Sequence, residues 1–420
     1  MTLRAEMQKT VKSAVQKPNR QSEGFLENIL DAITAPQLES LAVQRESDVG
    51  HLGTVFVQPN IVGVGIAGKI SQRKNKNVED AITTPQLKSS TVQRQSDVGH
   101  LRTVFVQPNI VGVGIAEKIS HGKNTGKLSV TFYVEKKIPL NKLVQSSVIP
   151  ATIPTALSGR SELLTDVVEL GKIVLQSGGP FVQRTPIQPG NSVGHFKATA
   201  GTLGAIVRRG RRKMILSNSH VLALSGKAKK GDHIIYPGRA DKGKVPGDVV
   251  AKLFKDVKFM TGGQFVNEVD CALAEISPQN VRPINPSLRG LAGPSGVTVP
   301  RRRMKVRISG RTSGVSIQSE IKDPHFRFKI PYPDLGAEVG FKNQILCRPP
   351  YSLDGDSGSL VVEASTGRAV GLHFAAAPKG SVSCPIEKVM SKLGCRLELA
   401  SPPTRQKKAK QKAKRPDKMY

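Results

Sequence analysis

Three short stretches of the chain carry residue types able to do nucleophilic chemistry. Asp354-Gly-Asp-Ser-Gly-Ser-Leu360 follows the breaker-rich run Cys347-Arg-Pro-Pro-Tyr351 and precedes the apolar Leu360-Val-Val362, so it reads as a tight loop feeding a strand. A serine between glycines on such a loop exposes its hydroxyl, and the N–H groups of Gly355 and Ser357 are free to point at a substrate oxygen. An ordinary Asp/Gly/Ser turn has the same composition. Upstream, Met214-Ile-Leu-Ser-Asn-Ser-His220-Val-Leu-Ala is an apolar strand ending in a polar turn that presents a histidine. Val269-Asp270-Cys-Ala-Leu-Ala-Glu-Ile276 embeds an acid among apolar residues, where burial is costly unless something hydrogen-bonds it. The order His220, Asp270, Ser357, spaced by about 50 and about 90 residues, matches a general base, an orienting acid and a serine nucleophile.

As an ordered set, Ser-Asn-Ser-His220-Val, Val-Asp270-Cys-Ala-Leu and Gly-Asp-Ser357-Gly resemble the three signature segments of trypsin-like serine peptidases. The resemblance spans residues 190–395 and is nearest to the intracellular bacterial and plant members that carry an extra N-terminal region. It implies a chymotrypsin-like double β-barrel with the triad at the junction, an acyl-enzyme on Ser357, an oxyanion hole from the Gly355 and Ser357 amides, and no cofactor or metal. In this family the floor of the primary pocket lies six residues before the nucleophile, here Tyr351. The acidic floor of a trypsin is therefore missing, and cleavage after Lys or Arg is not expected. Gly371-Leu-His373-Phe is similar to the histidine-bearing strand of glutamate-specific relatives, with one extra residue in the hairpin. His373 is thus a substrate-binding candidate that would favour an acidic side chain; the alternative is a plain wall residue. Ser-Asn-Ser before His220 departs from the Thr-Ala-Ala frequent in relatives. Asp356 stands where a newly freed amino terminus would pair in zymogen fashion.

These side chains need a scaffold. From Ser192 onward the chain reads as short strands: Ala200–Val207 and Lys213–Ser217 as a hairpin delivering His220, then Asp232–Tyr236 and Asp248–Phe254, with Lys255–Val266 as a loop before Asp270. Gly371–Phe374 reads as the strand lining the cleft and Pro385–Leu393 as a closing helix. Periodicity alone predicts antiparallel β. Forty Gly, 28 Pro, five Tyr and no Trp suit a turn-rich, mainly β protein.

The N-terminal half is organised differently. Residues 1–30 form a basic arm ending in a short helix, with apolar residues at 25, 26, 29, 30 and 33. Asp31–Ser71 then recurs almost word for word over Asp80–Ser120, a period of 49 residues. Two copies are too few for a solenoid, and near-identity points to tandem duplication. The first copy (31–79) lacks a partner strand and is expected to be poorly ordered. The second continues into Gly126–Lys137, and a small β-rich (α+β) domain is expected over 80–175, with strands at Thr103–Val106, Ile110–Ala116 and Leu128–Val134 and a helix at Leu140–Val144. It resembles the region ahead of the peptidase in those relatives. Gly112 and Gly114 lack the Gly-Lys-Ser run and following helix of a nucleotide loop. His51 and His100 are one position copied, too few ligands for a metal. Residues 176–189 read as linker, 190–400 as the catalytic domain and 401–420 as a disordered tail.

The formal net charge is +31, which implies attraction to polyanions and says nothing about fold. Arg208–Lys213 and Arg301–Lys305 read as solvated edges. The tail, with eight Lys or Arg against one Asp, is the candidate nucleic-acid or polyanion contact, a plain solubilising tail being the alternative. Four cysteines without a Cys-x-x-Cys pairing disfavour zinc or a disulfide framework. Without a secretory signal or an apolar stretch of about 18 residues, a cytoplasmic location is expected. The competing function is a non-catalytic basic binding module on a peptidase fold.

Overall fold

The computed structural model describes residues 20–35, 101–153, 163–176 and 186–400. The first repeat copy beyond residue 35, the second copy up to residue 100, both His51 and His100, most of the basic arm, residues 177–185 of the linker and the tail at 401–420 lie outside the described residues.

Two β units follow from the alternating strands. In the first, Arg212–Ser217, Ala272–Ile276, Val249–Asp256, His233–Ile235 and Ser192–His195 pair in that order. The circuit closes through Gly201–Thr202 and Ala205–Arg209, two legs of one run broken at Leu203-Gly204. Ile206, Ile215, Val221, Ile234, Leu253 and Ala274 fill its interior. The basic run Arg208–Lys213 is the tip of the Ala205–Ser217 hairpin, where Arg208 pairs with Glu398 and Arg212 with Glu275.

The second unit is a closed ring of six strands: Lys305–Gly310, Ser319–Tyr332, Ala337–Arg348, Gly380–Pro385, Ala369–Ala377 and Leu360–Glu363, the last returning to Lys305–Gly310. Phe326, Phe328, Phe341 and Phe374 pack ring against ring inside it, with centroids 5.1–6.0 Å apart. The helix expected near Pro385 spans Ile386–Leu393 and turns Ile386, Val389 and Leu393 inward. The fold is therefore mainly β, two barrel-like units in series, which is the chymotrypsin-like architecture that the resemblance implies.

The N-terminal unit is fused to the second barrel. Its hairpin, Ile110–Ser120 with Lys123–Val134, pairs Gly112 with Phe328 and Val113 with Arg327, extending that barrel into a 13-stranded sheet. Leu163–Glu169 adds on in parallel. Helix Arg20–Thr34 buries Leu26, Leu30 and Ile33 against Val113, Ile115, Val130 and Phe132. Two expectations need correcting. Residues 101–105 are helical, because Leu101, Val104 and Phe105 share one face that packs into this cluster. Leu140–Val144 forms only a short 3-10 turn, Leu140–Lys142, with no buried residue to sustain a longer helix.

No helix among the described residues is long and apolar enough to cross a membrane. All four cysteines are buried free thiols, and burial raises the pKa of Cys271 well above its ordinary value.

Candidate active site

The Arg212–Ser217 strand ends in a single helical turn, Ser219–Leu222, that carries His220. Its neighbour pairs Ala272 with Ser217, which brings Asp270 alongside that turn. Asn218 Nδ2 fastens the two by donating to the Asp270 carbonyl at 2.7 Å. Asp270 is fully buried and three donors compensate its charge: the Ser219 amide at 2.6 Å, His220 Nδ1 at 2.5 Å and the Tyr332 hydroxyl at 2.9 Å. With the carboxylate accepting at Nδ1, the proton sits there and Nε2 is left as the acceptor. That nitrogen is buried and has no hydrogen-bond partner among the described residues. Burial, then the Asp270 charge, raises the Tyr332 phenol pKa well above its ordinary value.

Ser357 comes from the other barrel. Its loop turns through Gly355 at φ 98° and Gly358 at φ 96°, conformations that a side chain would strain. A Cβ on Gly358 would also lie 2.1 Å from Ser217 Oγ, so the loop abuts the first barrel. Thr202 ties them further: its amide donates to the Ser357 carbonyl at 2.7 Å and its hydroxyl to the Gly355 carbonyl at 3.0 Å. The Gly355 and Ser357 amides donate to no other described residue. The Ser357 hydroxyl donates to the Phe374 carbonyl at 3.0 Å and makes no hydrogen bond to His220. Thus His220 and Asp270 are directly bonded, whereas Ser357 sits at the same junction with its hydroxyl turned aside.

Asp356 is bonded to backbone in the intact chain. Its carboxylate already accepts the amides of Thr312 at 2.8 Å, Ser313 at 3.1 Å and Leu353 at 2.9 Å, which shapes the serine loop from within.

Tyr351 and His373 do come together, rings edge to face at 5.4 Å. The Tyr351 hydroxyl bonds Ser383 Oγ at 2.7 Å and Ser352 Oγ bonds Ser381 Oγ at 2.9 Å, so the polar groups beside this ring pair are uncharged. His373 is fully buried, and desolvation lowers its pKa to about 3, which keeps the ring neutral. Sequence reasoning missed Tyr332, Asn218 and Thr202. Asn218 stood in plain view inside Ser-Asn-Ser; Tyr332 lies 62 residues beyond Asp270, and no spacing signals it.

Among the described residues, no group of three or more His, Cys, Asp or Glu side chains is arranged to hold a metal. A cavity of about 600 Å³ lies between the N-terminal hairpin and the second barrel, bordered by Arg302, Arg303, Lys305 and Arg348, and includes none of the candidate site residues.

No protein-family model matches the chain, and no curated protein matches it. Among solved structures, one described as a glutamic acid specific serine protease that uses a histidine triad in substrate binding is similar over 50% of this chain and 100% of its own, at 13% identity and a TM-score of 0.36. Thermobifida fusca protease A is similar over 50% and 97%, at 15% identity and a TM-score of 0.32. An alpha-lytic protease homolog is similar over 51% and 100%, at 14% identity and a TM-score of 0.35. The roles proposed below rest on the hydrogen bonds already described.

Proposed function

We propose that the protein is a serine endopeptidase. His220 takes the proton from Ser357 as its oxygen attacks a peptide carbonyl, Asp270 holds the imidazole with Nε2 facing the nucleophile, and the Gly355 and Ser357 amides receive the oxyanion. The amine leaves with the proton from His220, and water then hydrolyses the acyl-enzyme by the same route. The single observation that carries this reading is the buried 2.5 Å contact from His220 Nδ1 to Asp270, which leaves an acceptor nitrogen with no partner at the barrel junction. His373 belongs to the same proposal as the residue that meets the side chain before the scissile bond; the acidic preference expected from the sequence would call for a charged ring, whereas burial keeps this one neutral.

A fluorophosphonate probe tests it. Wild-type protein should label and Ser357→Ala should not, with thermal unfolding unchanged; absence of labelling in folded wild-type protein would remove the hydrolase reading. The second reading, a non-catalytic basic module, draws on the turned-aside Ser357 hydroxyl and the +31 charge. It expects salt-sensitive binding to RNA or DNA that persists in Ser357→Ala and is lost without residues 401–420.

A further inference from the structure

The substrate side of this site is already occupied, by the chain itself. A two-residue strand, Val174–Leu175, pairs antiparallel with Ala369–Ala377, setting Leu175 against Ala375 and Val174 against Ala376. Continued by one residue, that register would bring Gln176 opposite Phe374, whose carbonyl receives the Ser357 hydroxyl. The backbone edge that runs past the nucleophile is therefore covered by an extended segment pointing its carboxyl end toward the serine, the direction in which a peptide adding to a sheet edge would lie.

Gln176 is buried, only 6% exposed, and its side chain reaches Ser352 and His373, whose ring packs edge to face on Tyr351. Its Oε1 lies 2.8 Å from His373 Nε2, and its Nε2 donates to the Ser352 carbonyl at 3.4 Å. With the amide oriented so that its Nε2 meets the Ser352 carbonyl, Oε1 is the atom facing His373, and the neutral ring then donates from its own Nε2. The pocket thus offers one donor and one acceptor, the complement of a carboxamide. A glutamate would set a second acceptor against the Ser352 carbonyl and bring a net charge into a buried, uncharged pocket, both costly.

Building on the serine-peptidase reading, we propose that the primary pocket selects glutamine before the scissile bond, and that Val174-Leu175-Gln176 is a tethered occupant of that cleft which competes with peptides in trans. Segment and substrate use one backbone edge and one pocket, so only one can be bound at a time.

The test uses full-length protein and fluorogenic peptides that differ only in the residue before the leaving group: Gln, Glu, Asn, Phe or Lys. The glutamine peptide should exceed the glutamate peptide in kcat/KM at least about tenfold, the scale of one mismatched polar contact. In Gln176→Ala, and independently in Gln176→Arg, KM for the glutamine peptide should fall about tenfold with kcat unchanged, as expected when an occluded fraction is released. Fluorophosphonate labelling should quicken in both. Turnover led by another residue, or an unchanged KM in both folded variants, overturns this inference and leaves the peptidase reading standing. If neither wild type nor variants label or cut any peptide, the hydrolase reading fails and this inference with it.

Discussion

At the scale of single residues, Asp270 holds the site together, since its two oxygens accept from Ser219, His220 and Tyr332 at once. Asp270→Asn replaces one acceptor with a donor and turns the imidazole tautomer around, so kcat should fall by roughly ten-thousandfold while KM for a peptide stays within a few-fold. Tyr332→Phe removes one charge-assisted hydrogen bond from a buried carboxylate, worth roughly 1.5–3 kcal/mol, and should lower kcat/KM about tenfold or more. Both are measured by steady-state kinetics on whichever peptide the wild type cleaves best. His373 contributes to stability as well. Burial puts its folded pKa at about 3, below the ordinary histidine value of about 6.5. The unfolded chain therefore takes up the proton first as pH falls; the stabilisation is whole above about pH 6.5 and is lost progressively toward pH 3. Urea midpoints should drop across that window, and the drop should be shallower in His373→Gln.

At the scale of elements, the glycines Gly112 and Gly114 mark where the N-terminal hairpin lies hard against the second barrel. A Cβ on Gly112 would lie 2.6 Å from the Arg327 carbonyl, and one on Gly114 would lie 1.8 Å from Asp323 Oδ2. Asp323 is buried and accepts from the Tyr133 hydroxyl at 3.1 Å and the His325 amide at 2.8 Å, so it has little room to withdraw. Gly114→Ala should cost roughly 1–3 kcal/mol in chemical denaturation by prying the hairpin from the barrel. Gly247→Ala, with open space around it and no positive φ, should be neutral within about 0.5 kcal/mol. Much of the element pattern was legible. Alternation over Leu128–Val134 marked a strand, although residues 129–134 are buried on both faces because helix Arg20–Thr34 and the second barrel cover opposite sides. Thr103–Val106 misled because β-branched and aromatic residues suit a half-buried strand, and only the helix-spaced contacts of Leu101, Val104 and Phe105 override that propensity.

At the scale of the whole molecule, catalysis would depend on two barrels keeping register, since His220 and Asp270 belong to one and Ser357 to the other. A fully buried ion pair spans them: Arg311 grips Asp241 with Nε to Oδ2 at 2.5 Å and Nη2 to Oδ1 at 2.6 Å. Removing one partner strands the other charge in the interior, so Arg311→Met and Asp241→Asn should each cost roughly 3–5 kcal/mol. Peptidase activity should fall with stability in both, and the double variant should recover part of the stability. Differential scanning calorimetry alongside kinetics checks both statements.

The sequence alone determined the mainly β class, the loop that carries Ser357 and the turn that carries His220, because glycine, proline and strand alternation act over a few neighbouring residues. The resemblance also named Tyr351 and His373 as substrate-binding candidates, and their rings meet edge to face. The tertiary structure decided what the long-range contacts settle: that Asp356 is held by backbone amides, that Tyr332 completes the Asp270 cluster, and that Gln176 hydrogen-bonds His373 from 197 residues away. Such pairings arise from the closure of the barrels and the burial of polar groups that must find partners. No local rule encodes which distant residue will supply them.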